Sequence, residues 1–129
     1  SRVGIIGFSA GAMTALHAAL ATSSAGRPDF VGYIYGPMRS LDVPADAPPV
    51  FVAFALDDGL FGRSGFGLVE AWHRAGRPVE LHAYERGDHG FGGRRARLSL
   101  AGARLARLQC LIALFAQSTT ATSNSSAIG

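Results

Sequence analysis

The chain has 129 residues, of which 48% are hydrophobic, so it is long enough for one compact soluble domain with a buried core. Its net charge of +3 comes from twelve arginines, without lysine, against nine acids. Its apolar runs are broken well short of the roughly 20 residues that a membrane span needs, so we expect no transmembrane segment and no membrane partner. The first residues lack a signal-peptide pattern, and the compartment stays undetermined.

Two local features bear on nucleic-acid binding and on disulfide formation. Arg94, Arg95 and Arg97 form a basic cluster that could contact phosphate. No aromatic residues interleave with them as a stacking surface would require, so we expect a solvated loop and no nucleic-acid partner. The single cysteine, Cys110, lies in an apolar segment, where it cannot form an internal disulfide and is expected to be buried.

The first predicted element is an apolar strand over residues 3–8, which runs into Gly-x-Ser-x-Gly at residues 7–11 and then into a helix from Met13 to Ala21. Strand, sharp turn and helix are the context of a nucleophile elbow. In so tight a turn, a Cβ at Gly7 or Gly11 is expected to clash with backbone, and Ser9 is expected to adopt a strained conformation with its hydroxyl exposed. Ser9 is therefore the candidate nucleophile.

A dinucleotide-binding fingerprint is the main alternative for this stretch, with Ser9 in place of its second glycine. That fingerprint requires an acid just past the end of the second strand. Asp29 instead precedes the second predicted strand, and Tyr35 and Gly36 end it. The elbow is the favoured interpretation.

The remaining elements alternate strand and helix along the chain. Strands are predicted at 30–35, 50–55 and 79–84, with helices at 64–75 and 98–117, and a proline-rich loop at 36–49 replaces one helix. The third strand is apolar on both faces and is expected to be the most buried, and the fourth alternates and is expected near an edge. The pattern predicts an α/β fold in which a parallel sheet of about four strands is flanked by helices.

Three chemically active positions follow three different strands. Ser9, the pair Asp57-Asp58 and His89 each lie where a strand ends, at the sheet edge where parallel folds bind ligands. A serine becomes nucleophilic when an imidazole takes its proton, and a carboxylate fixes the tautomer of that imidazole. The same residues could instead bind a metal, but no further ligand stands at a suitable spacing. Serine, then aspartate, then histidine is the chain order of the α/β-hydrolases.

Residues 3 to about 117 resemble the C-terminal half of bacterial acetyl esterases and xylan-esterase-like α/β-hydrolases. The segments that carry the resemblance are Gly7-Phe8-Ser9-Ala10-Gly11-Ala12, Pro49-Val50-Phe51-Val52-Ala53, Ala55-Leu56-Asp57-Asp58, and the run from Pro78 to Gly92.

The resemblance implies a serine ester hydrolase with no cofactor and no metal. It assigns Ser9 as nucleophile, His89 as general base, Asp58 as the acid with Asp57 as the fallback, and the N–H of Ala10 as an oxyanion donor. The expected substrate is a small-molecule or carbohydrate ester. Residues after the strand ends that could line an acyl pocket are Tyr35, Met38, Phe61 and Phe91, with Pro37 and Leu60 beside them.

Members of this family carry several strands and helices before the elbow, including a His-Gly-Gly-type loop that supplies the other oxyanion donors. We therefore expect residues 1–117 to form a partial domain, followed by a disordered Ser/Thr-rich tail at 118–129. The first strand is expected to have an open edge that a homodimer partner or the missing N-terminal half would cover. The alternative function is a truncated or vestigial domain that acts as a fragment or interaction partner without turnover.

Overall fold

The computed structural model describes residues 3–21, 23–91 and 109–118. Within them, four parallel strands form one sheet in the order β1-β2-β3-β4. The strands are β1 (Gly4–Phe8), β2 (Phe30–Ile34), β3 (Val50–Ala55) and β4 (Val79–Tyr84). The helices are α1 (Ala10–Ala21), α2 (Gly67–Arg74) and α3 (109–118), with a short 3₁₀ helix at Ser24–Gly26. The predicted parallel α/β fold is confirmed.

The core is built around β3. All six residues of this strand are buried, as its continuous apolar run predicts, whereas β4 at the sheet edge is only partly buried. Trp72 of α2 is fully buried in the same core and donates its indole N–H to the carbonyl of Pro48 at 3.0 Å. Phe115 of α3 packs against the rings of Phe30 and Phe51. The helices thus cover apolar surface that the strands would otherwise expose to water.

Helix α2 begins later than predicted. Residues 64–66 precede it in a turn, in which Gly65 has φ +75° and the N–H and hydroxyl of Ser64 both donate to the carbonyl of Phe61. The predicted stop is confirmed, because Gly76 has φ +65° and donates its N–H to His73. Glycine adopts this left-handed conformation without a Cβ penalty, which is why the helix ends there.

Cys110 is exposed, so its predicted burial is wrong. The buried residues of α3 are Ile112 and Phe115, three positions apart, and a residue two positions before Ile112 points away from that face. The basic cluster at 94–97, the predicted helical residues 98–108 and the predicted tail beyond 118 lie outside the described residues. No helix in the described part of the chain is long and apolar enough to cross a membrane.

Within the described residues, β1 pairs only with β2 and β4 only with β3, so each of these outer strands has one unpaired edge. Large apolar side chains are exposed on and beside β1, namely Val3 (66%), Ile6 (42%) and Phe8 (44%). This strand therefore presents unpaired backbone groups together with apolar surface, a combination that favours pairing with another polypeptide segment.

The two glycines of the motif at 7–11 are not equivalent. A Cβ at Gly7 would overlap the carbonyl group of Gly11 and lie 2.7 Å from the Cα of Ala12, so this glycine is required. Apart from its two chain neighbours and the backbone of its own helix, no described atom lies within 4 Å of a Cβ built at Gly11. The expectation that Gly11 is also required is therefore wrong, because only a Cβ at Gly7 would overlap backbone atoms of the turn.

Substituting the two glycines separately tests this asymmetry. We expect Gly7→Ala to lower the free energy of unfolding by about 1–3 kcal/mol or more, since rigid backbone must move. We expect Gly11→Ala to be neutral or to stabilise by up to about 1 kcal/mol, because alanine favours the helix. Urea unfolding followed by circular dichroism measures both changes. Equal destabilisation by the two variants would contradict the described turn.

Candidate active site

Ser9 occupies the single position between β1 and α1. Its φ is +52°, a left-handed conformation that costs a non-glycine residue about 1–3 kcal/mol. Two backbone hydrogen bonds hold it there: the Ser9 N–H donates to the carbonyl of Ile34 at 2.9 Å, and its carbonyl accepts from Ala12 at 3.0 Å. The strained conformation predicted for the elbow is confirmed.

Asp58 lies in the turn that follows β3. Its side chain is fully buried, and its Oδ1 accepts hydrogen bonds from the N–H groups of Leu60 at 2.8 Å and Phe61 at 3.0 Å. The second oxygen, Oδ2, lies 2.8 Å from Nδ1 of His89. Both oxygens of this carboxylate therefore have partners, which is the condition for burying a charged group.

His89 connects the other two residues. Its Nδ1 lies 2.8 Å from Asp58 Oδ2, and its Nε2 lies 2.7 Å from Ser9 Oγ. A carboxylate can only accept a hydrogen bond, so Nδ1 carries the ring proton and Nε2 is left to accept the hydroxyl proton of Ser9. The structure thus brings together the three residues that the sequence singled out, from positions 31 and 80 residues apart in the chain.

The charge state of Asp58 follows from its environment. Burial by itself raises the pKa of Asp58, but hydrogen bonds from His89 and from the N–H groups of Leu60 and Phe61 outweigh it, and the pKa lies below its ordinary value. The carboxylate is therefore ionised at neutral pH, where it can stabilise a positive charge on His89.

The side chain of the neighbouring Asp57 has different hydrogen-bond partners from that of Asp58. Its Oδ1 accepts hydrogen bonds from the N–H groups of Gly87 and Asp88, both at 2.8 Å, whereas the imidazole Nδ1 of His89 is bonded to Asp58. The structure therefore places Asp58, and not the fallback Asp57, against His89. Nothing in the sequence distinguished the two side chains except the family resemblance.

Aromatic rings surround the imidazole. The centroids of Tyr35 and Phe61 lie 5.3 and 5.4 Å from that of His89, both in edge-to-face contact. Phe91 and Phe8 in turn contact Tyr35, with centroid distances of 5.2 and 5.8 Å. Burial raises the pKa of Tyr35, so its phenol stays neutral and the wall beside His89 carries no charge.

The residues predicted to line an acyl pocket divide into two groups. Tyr35 and Phe61 lie against His89, and Phe91 lies against Tyr35. Met38 is fully buried in the core, where its side chain is not open to a ligand. The structure therefore does not bring Met38 to the site, because the loop after β2 turns it inward.

The remaining two candidate residues have backbone roles. Leu60 is 68% exposed and its N–H donates to Asp58, and the carbonyl of Pro37 accepts from the hydroxyl of Tyr33 at 2.7 Å. The sequence predicts that both side chains line the acyl pocket. What the structure shows instead is that their main-chain groups stabilise the turns after β3 and β2.

The N–H of Ala10 is placed for a role with anions. Ala10 is the first residue of α1, directly after Ser9, and its N–H makes no hydrogen bond with another described residue. The first N–H groups of a helix carry partial positive charge and bind anions readily. Within the described ranges, no three His, Cys, Asp or Glu side chains are grouped so that they could hold a metal ion.

A parallel sheet with a strained serine between β1 and α1, followed by an aspartate after β3 and a histidine after β4, places the chain among the α/β-hydrolases. The model of the dienelactone hydrolase family matches residues 1–119, and the chain belongs to that family. No curated protein sequence matches the chain.

Solved structures support the fold. An α/β-hydrolase enzyme from a Medee basin deep-sea metagenome library is 24% identical with a TM-score of 0.70, over 90% of this chain and 53% of that one. An acetyl ester-xyloside bifunctional hydrolase from Caldicellulosiruptor lactoaceticus is 20% identical, with a TM-score of 0.62 over 84% and 56%. Thermogutta terrifontis esterase 2 is 16% identical, with a TM-score of 0.66 over 86% and 55%. The chain spans about half the length of these structures.

The charge on Asp58 predicts a pH-dependent stability. A carboxylate whose pKa is lowered on folding contributes stability above its unfolded pKa of about 3.9, and this contribution is lost as the pH falls through the folded pKa. We therefore expect the advantage of the unsubstituted chain over Asp58→Asn to be full at pH 6 and to shrink below about pH 4. Urea unfolding across this range measures it, with the exposed Asp42→Asn as control. A difference that does not change with pH would contradict the assignment.

Proposed function

We propose that the chain is a serine carboxylic ester hydrolase of the short-chain acyl or acetyl esterase type. The observation that carries the proposal is the continuous path from Ser9 Oγ to His89 Nε2 and from His89 Nδ1 to Asp58 Oδ2, with steps of 2.7 and 2.8 Å. Membership in a hydrolase family supports the same conclusion.

The reaction follows from the direction of these hydrogen bonds. His89 Nε2 takes the hydroxyl proton as Ser9 Oγ attacks the ester carbonyl, and Asp58 stabilises the imidazolium that forms. The N–H of Ala10 donates to the developing oxyanion. His89 then returns the proton to the departing alcohol, which leaves an acyl group on Ser9. Water, deprotonated by His89, releases the acid and restores Ser9.

The aromatic wall argues for a small acyl group. Tyr35 and Phe61 lie in edge-to-face contact with His89, and Phe91 packs against Tyr35. Tyr35 and Phe91 are less than a tenth exposed, so apolar rings border the imidazole that contacts Ser9. The Caldicellulosiruptor enzyme is an acetyl ester-xyloside bifunctional hydrolase, and this is consistent with an acetyl ester of a sugar as the substrate class.

The alternative function is a domain that keeps these residues without turnover of its own and acts as a fragment or interaction partner. The observation in its favour is that the chain spans about half the length of the structures it matches. Within the part of the chain that the structure describes, the N–H of Ala10 is the one evident oxyanion donor, and removal of such a donor typically costs about 10²–10³ in turnover. The proposed hydrolase requires a reactive Ser9, and the alternative function does not.

Labelling and turnover together test the proposed activity. We expect a fluorophosphonate to modify Ser9 in the folded chain, and we expect a short-chain aryl ester to be hydrolysed. Ser9→Ala should abolish both, because no other group replaces the nucleophile, and removing His89 should reduce turnover to a similar degree. Mass spectrometry locates the label, with a denatured sample as control. Absence of labelling above that control favours the alternative, and turnover that survives Ser9→Ala refutes the assignment.

The open edge of β1 predicts association. We propose that a second copy of the chain, or a preceding segment of a longer protein, pairs with this strand and covers Ile6 and Phe8. We expect the isolated chain to sediment as a dimer or larger species at micromolar concentration, and Ile6→Lys to weaken that association. Leu114→Lys, at an exposed position on α3, is the matched control and should leave it unchanged. A stable monomer that unfolds cooperatively would contradict the proposal.

A further inference from the structure

The loop that carries His89 is attached to the turn after β3 by a residue outside the Ser9, His89 and Asp58 path. We propose that Asp57 is a positioning residue for His89: its carboxylate fixes the backbone of this loop so that the imidazole lies between Ser9 and Asp58. This inference rests on the proposed function, because it concerns the same site, but it assigns a separate task to a separate side chain.

The evidence is a cluster of backbone hydrogen bonds to carboxylates. Asp57 Oδ1 accepts the N–H groups of Gly87 and Asp88, each at 2.8 Å. Asp88 Oδ1 accepts the N–H of His89 itself at 2.7 Å. Three consecutive N–H groups, up to and including that of His89, are thereby satisfied by two carboxylates. Charge-assisted hydrogen bonds of this kind are about twice as strong as neutral ones.

The loop needs such support because its backbone is strained and closely packed. Asp88 has φ +54°, a left-handed backbone conformation that is unfavourable for a residue with a Cβ. A Cβ at Gly87 would lie 3.1 Å from the Cβ of Ala55 at the end of β3, so the loop runs against the sheet at this point. The Asp57 carboxylate bridges the same two elements. It therefore sets how far His89 stands from the strand ends.

Asp57 and Asp58 have two different tasks: one positions the backbone of His89, and the other orients its ring. Asp58 orients the imidazole ring through Nδ1, and Asp57 holds the main chain from which the ring extends. Reacting groups must be held in near-attack geometry, and a displacement of about 1 Å can cost about 10²-fold in rate. Loss of the Asp57 carboxylate should thus reduce turnover even though Asp57 touches neither substrate nor the reacting atoms.

Asparagine distinguishes the two tasks. At position 58, the side-chain amide of Asn carries no charge, so it would not stabilise the imidazolium. If its NH₂ group faces Nδ1 of His89, Nδ1 must accept a hydrogen bond, and the wrong tautomer of the imidazole is favoured. At position 57, a single oxygen, Oδ1, accepts both hydrogen bonds from the loop, and Asn keeps an acceptor there. Asn should therefore rescue the role of Asp57 and fail to rescue that of Asp58.

The experiment compares Asp57→Ala, Asp57→Asn and Asp58→Asn in the full chain, with Asp42→Ala as an exposed control. We expect Asp57→Ala to lower kcat about 10²-fold with little change in KM, Asp57→Asn to stay within about tenfold of the unsubstituted chain, and Asp58→Asn to lose nearly all turnover. The melting temperature is measured in parallel, because Asp57 is exposed and its replacement should leave the core intact.

A second measurement does not depend on turnover. Native-state hydrogen exchange should show the N–H groups of Gly87 and Asp88 protected in the unsubstituted chain and in Asp57→Asn. In Asp57→Ala, both should exchange at least about tenfold faster, since their acceptor is gone. Asp42→Ala should leave them unchanged.

The outcomes separate this inference from the proposed function. If Asp58→Asn or Ser9→Ala retains turnover, the proposed function fails. If those variants are inactive while Asp57→Ala matches Asp42→Ala in kcat, the positioning role of Asp57 is overturned and the proposed function stands. Unchanged exchange of Gly87 and Asp88 in Asp57→Ala would also overturn it. Equal losses in Asp57→Ala and Asp57→Asn would show that an acceptor oxygen at position 57 does not suffice to hold the loop, which contradicts the inference.

Discussion

Parallel pairing of the four strands is the constraint on which the site depends. Because all strands run in one direction, their carboxyl ends meet at one edge of the sheet, and the register pairs Phe8 with Ile34 and Ile34 with Ala53. The residues that follow these positions are Ser9 and Tyr35, and β3 continues to Ala55 before the turn that holds Asp58. An antiparallel neighbour would send one of these groups to the opposite edge.

Backbone strain is concentrated at this edge. The three non-glycine residues with positive φ in the described part of the chain are Ser9, Tyr35 and Asp88, at +52°, +39° and +54°. A hydrogen bond from an adjoining element holds each of them: Ser9 N–H donates to Ile34, Tyr35 N–H to Ala53, and Asp88 N–H to Asp57. The first two bonds extend the strand ladder by one residue into the turn. The sheet thereby stabilises turn conformations that would be unfavourable in isolation.

The site and the open edge of β1 are physically linked. Phe8 is 44% exposed on β1, and its ring contacts Tyr35, which in turn contacts His89. A polypeptide segment that pairs with β1 would therefore cover one end of the aromatic wall beside the imidazole. Under the proposed function, we expect pairing of another segment with β1 to complete the substrate pocket as well, since the exposed ring of Phe8 belongs both to this edge and to the aromatic wall.

Local patterns in the sequence determined the architecture. The apolar run at 50–55 is a fully buried strand, the alternation at 79–84 forms an edge strand, and the glycine at 76 ends a helix, because periodicity and turn chemistry are properties of neighbouring residues. The order of serine, aspartate and histidine, each after a strand, was also sufficient to place the candidate site at one sheet edge.

Only the tertiary structure decided where individual side chains point. Asp57 and Asp58 look alike in sequence, yet one binds loop backbone and the other the imidazole, because their partners lie about 30 residues away. For the same reason, the sequence did not show that Met38 turns into the core, that Cys110 faces solvent, or that Gly11 has space for a Cβ. Side-chain direction and free space depend on what packs against a residue, and that is set by contacts between segments distant in the chain.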